Sequence, residues 1–179
     1  MTQVGSVYGE ALYSLAAEEN LSSQILEELS VLEQSFHAEP DFIRLLSSAN
    51  LSREERCAIV DDSFRGQVLP YLLNFLKILT EKGYMRYFSD CCRSFTESYN
   101  RDNGILPVTA VTAVPLSPAQ HTRLCEKLAQ ITGKQIQLTN QQDPSCLGGM
   151  RLEYDGKCLD DTVSHRLDAI GNLLRRTIL

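Results

Sequence analysis

The sequence predicts a two-part fold of class α followed by α/β: an N-terminal six-helix bundle, then a small unit with a short mixed β-sheet and two helices. Three observations predict it. Up to about residue 104 the apolar residues recur at three- and four-residue steps, which places them on one face of a helix. Beyond that point they alternate with polar residues, the period of a half-buried strand. Between the two patterns stands Asp102-Asn103-Gly104, and Gly104 suits the left-handed position after a helix. The expected units are residues 1–104 and 105–179.

Each element has its own signal. Val4, Tyr8, Ala11, Leu12 and Leu15 make an amphipathic first helix over about residues 3–19. Ser22 or Ser23 opens a second, with Ile25, Leu29, Leu32 and Phe36 on one face, ending near Pro40. Asp41–Ser48 reads as a short third helix carrying Phe42, Leu45 and Leu46. Ser52 and Glu55 have the capping-box spacing for a fourth, which continues with Cys57, Ile59 and Val60.

The fifth helix, over about residues 67–81, is apolar nearly all round, from Val68 and Leu69 through Leu72, Phe75, Leu76, Ile78 and Leu79. Such a helix must be covered on more than one side, either by its own bundle or, at part of its surface, by another chain. Gly83 ends it. Tyr84, Phe88, Cys91, Cys92, Phe95 and Tyr99 form the stripe of a sixth helix.

In the second unit Ile105–Val114 reads as a strand with Val108, Ala110, Thr112 and Val114 on one face. Leu116-Ser117-Pro118 opens a helix with a cap and a proline in its first turn. Leu124, Leu128 and Ile131 are its expected core face, and Gly133 closes it. Ile136 and Leu138 mark the next strand. Met150, Leu152 and Tyr154 alternate with polar residues, Asp155-Gly156 supplies a two-residue turn, and Lys157–Leu159 returns. Asp160, Asp161 or Thr162 caps a last helix with Val163, Leu167, Ile170 and Leu174 as its stripe.

Composition bounds the function. The 179 residues carry 43% hydrophobic and 22% charged side chains, enough for a packed core and too apolar for wholesale disorder. The net charge of -6 argues against a nucleic-acid binder. Residues 1–104 hold 9 basic and 16 acidic side chains, and residues 105–179 hold 8 and 7, so an acidic front half adjoins a near-neutral back half. That split fits two units with different partners. No apolar run approaches the roughly 20 residues of a membrane span. The acidic N-terminal stretch has the features of neither a signal nor a transit peptide.

Chemistry is sparse. There is no GxxxxGK[ST] phosphate loop, so catalysis on ATP is not expected. The six cysteines (Cys57, Cys91, Cys92, Cys125, Cys146 and Cys158) form neither a CxxC pair nor a metal spacing, and are expected reduced and mostly buried. Cys91-Cys92 is expected to serve helix packing, not redox chemistry. His37, His121 and His165 are scattered and expected at the surface or at helix ends. Arg175-Arg176 is expected to favour the last helix's C-terminal dipole. No cofactor or metal is expected.

One stretch is more specific. Asp143-Pro144-Ser145-x-Leu147-Gly148-Gly149, followed by Asp160-x-Thr162-Val163, Arg166 and Leu167, resembles the C-terminal signature of the delta subunit of F-type ATP synthases, the OSCP family. Tyr8-x-x-Ala11-Leu12, Asn74-Phe75-Leu76-Lys77-x-Leu79, Gly83, Leu106-Pro107-Val108 and Thr132-Gly133-Lys134 are similar to the same family, so the resemblance covers nearly the whole chain. Two positions depart from it: Gly9 stands where the family usually has Ala, and Asp161 replaces the usual Gly.

The resemblance implies a non-catalytic subunit of the peripheral stalk, one copy per complex. Such a subunit ties the catalytic head to the membrane-embedded stator, so that rotation drives ATP synthesis. It implies that the N-terminal helix of an alpha subunit lies between the first and fifth helices, against Tyr8, Ala11, Leu12, Leu15, Phe75, Ile78 and Leu79. Gly148, Gly149, Asp160, Thr162 and Leu167 are then structural signature residues, and the C-terminal unit meets the b subunits of the stalk. No nucleic acid is implied, and the membrane only through the complex. With no targeting peptide the expected setting is the cytoplasmic face of a bacterial inner membrane. The competing reading is a free cytosolic helical adaptor that binds an amphipathic partner helix.

Overall fold

A computed structural model describes residues 2–48, 51–165 and 167. The chain divides into two compact units, Met1–Tyr99 and Asn100–Leu179, a division within the last turn of a helix.

The first unit is helical: α1 Gln3–Glu18, α2 Ser22–Ala38, α3 Pro40–Leu46, α4 Arg53–Phe64, α5 Pro70–Lys82, a 3-10 turn Met85–Tyr87, and α6 Phe88–Asp102, which runs past the division. One core joins them. Ile25, Leu46, Val60, Leu72, Leu76, Leu79 and Phe95 are each 0% exposed. At its centre the Phe36 ring meets Phe88 edge-on at 5.0 Å, Phe64 edge-on at 5.9 Å, and stacks on Phe42 at 5.7 Å. Such offset and edge contacts add to the area effect because ring edges are positive and faces negative.

Local rules explain most of the boundaries. Ser52 and Glu55 complete the capping box: the Glu55 amide donates to Ser52 Oγ at 3.2 Å, and the Ser52 amide to Glu55 Oε2 at 2.8 Å. Two expected starts shift. The third helix begins at Pro40 and ends at Leu46, and the fifth begins at Pro70 instead of residue 67. In both cases proline takes the first turn, where no amide donor is needed, and forces the residue before it out of the helical region. The Leu69 amide instead donates to Glu28 Oε2 on α2 at 2.9 Å. Tyr84, expected in the sixth helix, precedes the 3-10 turn. Asp61 of α4 is ion-paired to Lys77 of α5 and to Arg65.

Two glycines set the distance between α1 and α6. A Cβ on Gly5 would collide with the Asp90 side chain. One on Gly9 would lie 2.5 Å from the Cys91 carbonyl oxygen and 2.6 Å from Ser94 Cβ. The same contact is clamped at its end. The Thr2 amide and hydroxyl donate to Asp90 Oδ2 at 2.9 and 2.7 Å, while Thr2 Oγ1 accepts from the Gly5 amide and caps α1.

The Thr2 hydroxyl, then its amide, hold the Asp90 carboxyl below the usual carboxylate range. A depressed carboxyl stabilises the fold above its unfolded value, about 3.9, and loses that contribution as the pH falls through the folded value. Asp90→Asn is therefore expected to lower the melting temperature at pH 7. The deficit relative to the parent chain should shrink as the pH is taken below about 4. Melts at pH 7 and pH 3 check this, and a constant gap would show that the charge is irrelevant.

The second unit is built on the sheet order β2-β1-β3-β4, with β1 Ile105–Thr112, β2 Gln135–Gln142, β3 Met150–Tyr154 and β4 Lys157–Asp160. β1 pairs parallel with β2 and antiparallel with β3, and β3 pairs antiparallel with β4. The parallel pair needs a crossover, which α7 Pro118–Thr132 supplies. The central strand is the core: Leu106, Val108, Ala110, Val111 and Thr112 are buried.

Val114 was expected on that face but is 69% exposed, because the strand ends at Thr112, whose hydroxyl donates to the Val114 carbonyl at 2.7 Å. Ile131 was expected in the core and is 80% exposed. The half-buried stripe of α7 runs through His121, Cys125, Leu128 and Thr132, which leaves Ile131 at its edge. His121, in the first turn of α7 as a helix-end residue, is half-buried: its Nε2 lies 3.3 Å from the Leu138 carbonyl oxygen of β2. Asn140, which carried no sequence signal, ties the β1–α7 loop. Its Nδ2 donates to the Ala110 carbonyl at 2.8 Å, and its Oδ1 accepts from the Leu116 amide at 2.9 Å.

Residues 163–165 and 167 are helical, the start of the last expected helix. Arg166, Ile170, Leu174 and Arg175-Arg176 lie outside the described residues.

Candidate functional site

Two contacts define how α1 and α5 lie. Near the start of α1, the Tyr8 ring meets Tyr84, just beyond α5, edge-on at 5.8 Å. Past the end of α1, the Glu19 carboxylate stands beside the Tyr71 phenol and raises its pKa. The helices therefore run antiparallel, and the strip between these contacts belongs to both.

The seven residues proposed for partner binding divide along this strip. Ala11 is exposed, Leu15 is 37% exposed and Ile78 is 45% exposed, while Tyr8 is half-buried at the aromatic end. Leu12, Phe75 and Leu79 are 4%, 6% and 0% exposed, so they are core residues beneath the strip and present no surface to a partner. The helical repeat explains this. Successive residues turn by about 100°, so Phe75 and Leu79 point inward while Ile78 lies nearer the rim. The all-round apolarity of α5 is thus met mostly by its own unit, which buries Leu72, Phe75, Leu76, Leu79 and Thr80.

Val7, 58% exposed, extends the exposed row on α1 to Val7, Ala11 and Leu15 at four-residue steps. Sequence reasoning missed it, because an apolar residue beside a core stripe carries no mark of exposure. A cavity of about 860 Å³ lies elsewhere on this unit, floored by Phe36, Ile43, Met85 and Phe88 and rimmed by Glu33, His37 and Arg86. Periodicity did not point to it, since Phe36 and Phe88 sit on regular core stripes and Met85 lies in a 3-10 turn.

The signature residues of the second unit form a clasp. Gly149 has φ +76°, and a Cβ there would collide with the Asp161 carbonyl oxygen. A Cβ on Gly148 would just touch Val163 at 3.4 Å. The Asp161 amide donates to the Met150 carbonyl at 3.1 Å, and the Val163 amide to the Gly148 carbonyl at 3.0 Å. Thr162 is the cap: its Oγ1 accepts from the His165 amide at 3.2 Å and donates to Asp160 Oδ1 at 2.7 Å. The Thr162 amide and hydroxyl keep the Asp160 carboxyl below its usual range. Asp160 therefore orients the cap, and Asp161 contributes backbone. Leu167 is 55% exposed and Leu147, at φ 59°, is 68% exposed.

Chemical groups are arranged for structure. Cys91, Cys92 and Cys146 are buried, Cys57 and Cys125 half-buried, and Cys158 exposed. Burial pushes the Cys91 thiol up to about 11 and the Cys92 thiol higher still, so neither supplies a thiolate at neutral pH. Among the described residues no group of three or more His, Cys, Asp or Glu is placed to hold a metal ion. No helix among them is long and apolar enough to cross a membrane.

Comparison with known proteins fits this geometry. The family model for the ATP synthase delta (OSCP) subunit matches residues 4–174. The chain is 31% identical over 176 residues to ATP synthase subunit delta of Alkaliphilus oremlandii, covering 98% of each. It is 30% identical to that of Clostridioides difficile, covering 98% of this chain and 97% of the relative. Its fold matches a chain of the Toxoplasma gondii mitochondrial ATP synthase hexamer with a TM-score of 0.76 at 19% identity, over 97% and 98% of the two chains. A match this long, joined to bacterial relatives at 30% and 31% identity, places the chain in the ATP synthase delta (OSCP) subunit family.

Proposed function

We infer that this chain is the peripheral-stalk subunit that couples the ATP synthase head to its stator and does no chemistry itself. The observation that carries this reading is family membership over residues 4–174. It also disfavours the free adaptor.

In this reading the first unit works as a six-helix bundle whose α1–α5 strip seats the N-terminal helix of one alpha subunit. Exposed Ala11, Leu15 and Ile78 support that assignment, because an amphipathic helix docks its own apolar anchors against an apolar surface of this kind. The second unit meets the b subunits, with one copy of the chain per complex, at the cytoplasmic face of a bacterial inner membrane. The membrane is reached only through the complex.

A stator subunit stops the head from turning with the shaft. Deleting this chain is therefore expected to leave head ATPase activity in place while ATP-driven proton pumping collapses. Pumping in inverted vesicles from a complete deletion strain is the measurement, and retained pumping would overturn the reading.

A further inference from the structure

Two of the six thiols are alike in burial and unlike in what faces them. Cys57 and Cys125 are both half-buried. The Cys57 thiol donates to the Lys77 carbonyl oxygen at 3.8 Å. A carbonyl oxygen accepts that hydrogen bond but takes no proton. Cys125 instead has its Sγ 3.8 Å from His121 Nδ1, one turn earlier on α7. The other ring nitrogen fixes the tautomer. His121 Nε2 lies 3.3 Å from the Leu138 carbonyl oxygen, which can only accept, so Nε2 carries the hydrogen. In the neutral ring Nδ1 then has a free lone pair, and it accepts from the thiol. Sulfur, base and a third group that orients the base are the parts by which a cysteine is activated.

We propose that Cys125 is a covalent-modification site for small disulfides, with His121 as the base that receives its proton. The Cys125 S–H gives its proton to His121 Nδ1 as the sulfur attacks one sulfur of RS–SR. The S–S bond of the reagent breaks and a Cys125–S–S–R bond forms. The departing RS⁻ takes the proton from the imidazolium and leaves as RSH, so the disulfide is the only oxidant required. Of the other thiols, Cys91, Cys92 and Cys146 are buried, and Cys158 is open to any reagent. The local sequence argues for the opposite order. Arg56 adjoins Cys57 and Glu126 adjoins Cys125, and a neighbouring cation promotes a thiolate where an anion opposes it. Charge along the chain thus favours Cys57, and only the fold favours Cys125.

The test uses the full chain carrying Cys158→Ser, treated briefly at pH 7 with dipyridyl disulfide. Labelling of each cysteine is followed by peptide mass spectrometry. A free thiol is only a few per cent ionised at pH 7, so complete removal of the proton gains at most about thirtyfold. Cys125 is expected to label about tenfold faster than Cys57 in the folded chain, and no faster once the chain is unfolded in urea. His121→Gln keeps an N–H that can reach the Leu138 carbonyl and removes the base, so it should slow Cys125 to the Cys57 rate. Loosened packing would expose the thiol and raise its rate, so the sign of the change separates the base from a structural role. Equal rates in the folded parent chain, an advantage that persists in urea, or a Cys125 rate in His121→Gln that is unchanged or higher each overturns the proposal.

Discussion

Ala11→Arg is expected to weaken binding of the alpha-subunit N-terminal peptide by about 2–3 kcal/mol, roughly 30- to 150-fold, and to leave the fold intact. Ala11 is exposed between Leu15 and Tyr8. In the proposed groove its small side chain would let an incoming helix lie close to the α1 backbone. An arginine there fills the approach and leaves a charge in an apolar seat. Ile78→Asp should act in the same way from the opposite wall, losing apolar contact as well as stranding a carboxylate.

Stability is the control. Both positions face solvent in the free chain, and surface changes of this kind usually stay within about 0.5 kcal/mol. Phe75→Ala and Leu79→Ala offer the contrast. Those side chains are 6% and 0% exposed, so they should cost about 2–5 kcal/mol of folding energy whatever they do to binding. Titration of the peptide alongside urea melts separates the two classes. Unchanged affinity in both Ala11→Arg and Ile78→Asp would refute the groove.

That contrast shows where sequence reading reaches its limit. The stripe on α1 and the apolar run on α5 were legible, because helical periodicity is local. Caps and stops were legible for the same reason: Ser52 with Glu55, and Gly83, Gly104 and Gly133, all at positive φ. Which members of a stripe lie at its rim was not. That depends on where the neighbouring helix sits, and Phe75 and Ile78, three residues apart and both apolar, end up on opposite sides of that line. Ile131 failed in the same way, because the half-buried side of α7 runs through His121, Leu124, Cys125, Leu128 and Thr132. The signature around Gly148, Gly149 and Thr162 was legible as a motif. Its job, locking the β3 hairpin to the next helix start, needed the geometry: the Gly149 clash is with a carbonyl twelve residues on, at Asp161.

The contact least visible in the sequence carries the other large effect. Gly9 lies inside α1, and helix propensity alone predicts that Gly9→Ala stabilises the chain by about 1 kcal/mol. Packing predicts the opposite sign. The new methyl would stand 2.5 Å from the Cys91 carbonyl oxygen and 2.6 Å from Ser94 Cβ, both on α6, and a helix backbone cannot yield locally. Relief requires α1 to move away, against the clamp that Asp90 makes on Thr2.

Overpacking costs about 1–3 kcal/mol. Gly9→Ala is therefore expected to be net destabilising by about 1 kcal/mol, and Gly9→Leu by about 3. Urea melts of the two variants decide the sign, and a stabilised Gly9→Ala would mean that α1 already has room. Because Tyr8 and Ala11 ride on the same helix, the shift should also reach the strip. Gly9→Leu should weaken the alpha-subunit peptide severalfold under conditions where the chain remains folded, an effect that plain loss of stability would not produce. Glycine at this position thus sets how closely α1 lies on α6, and through that where one wall of the α1–α5 strip stands.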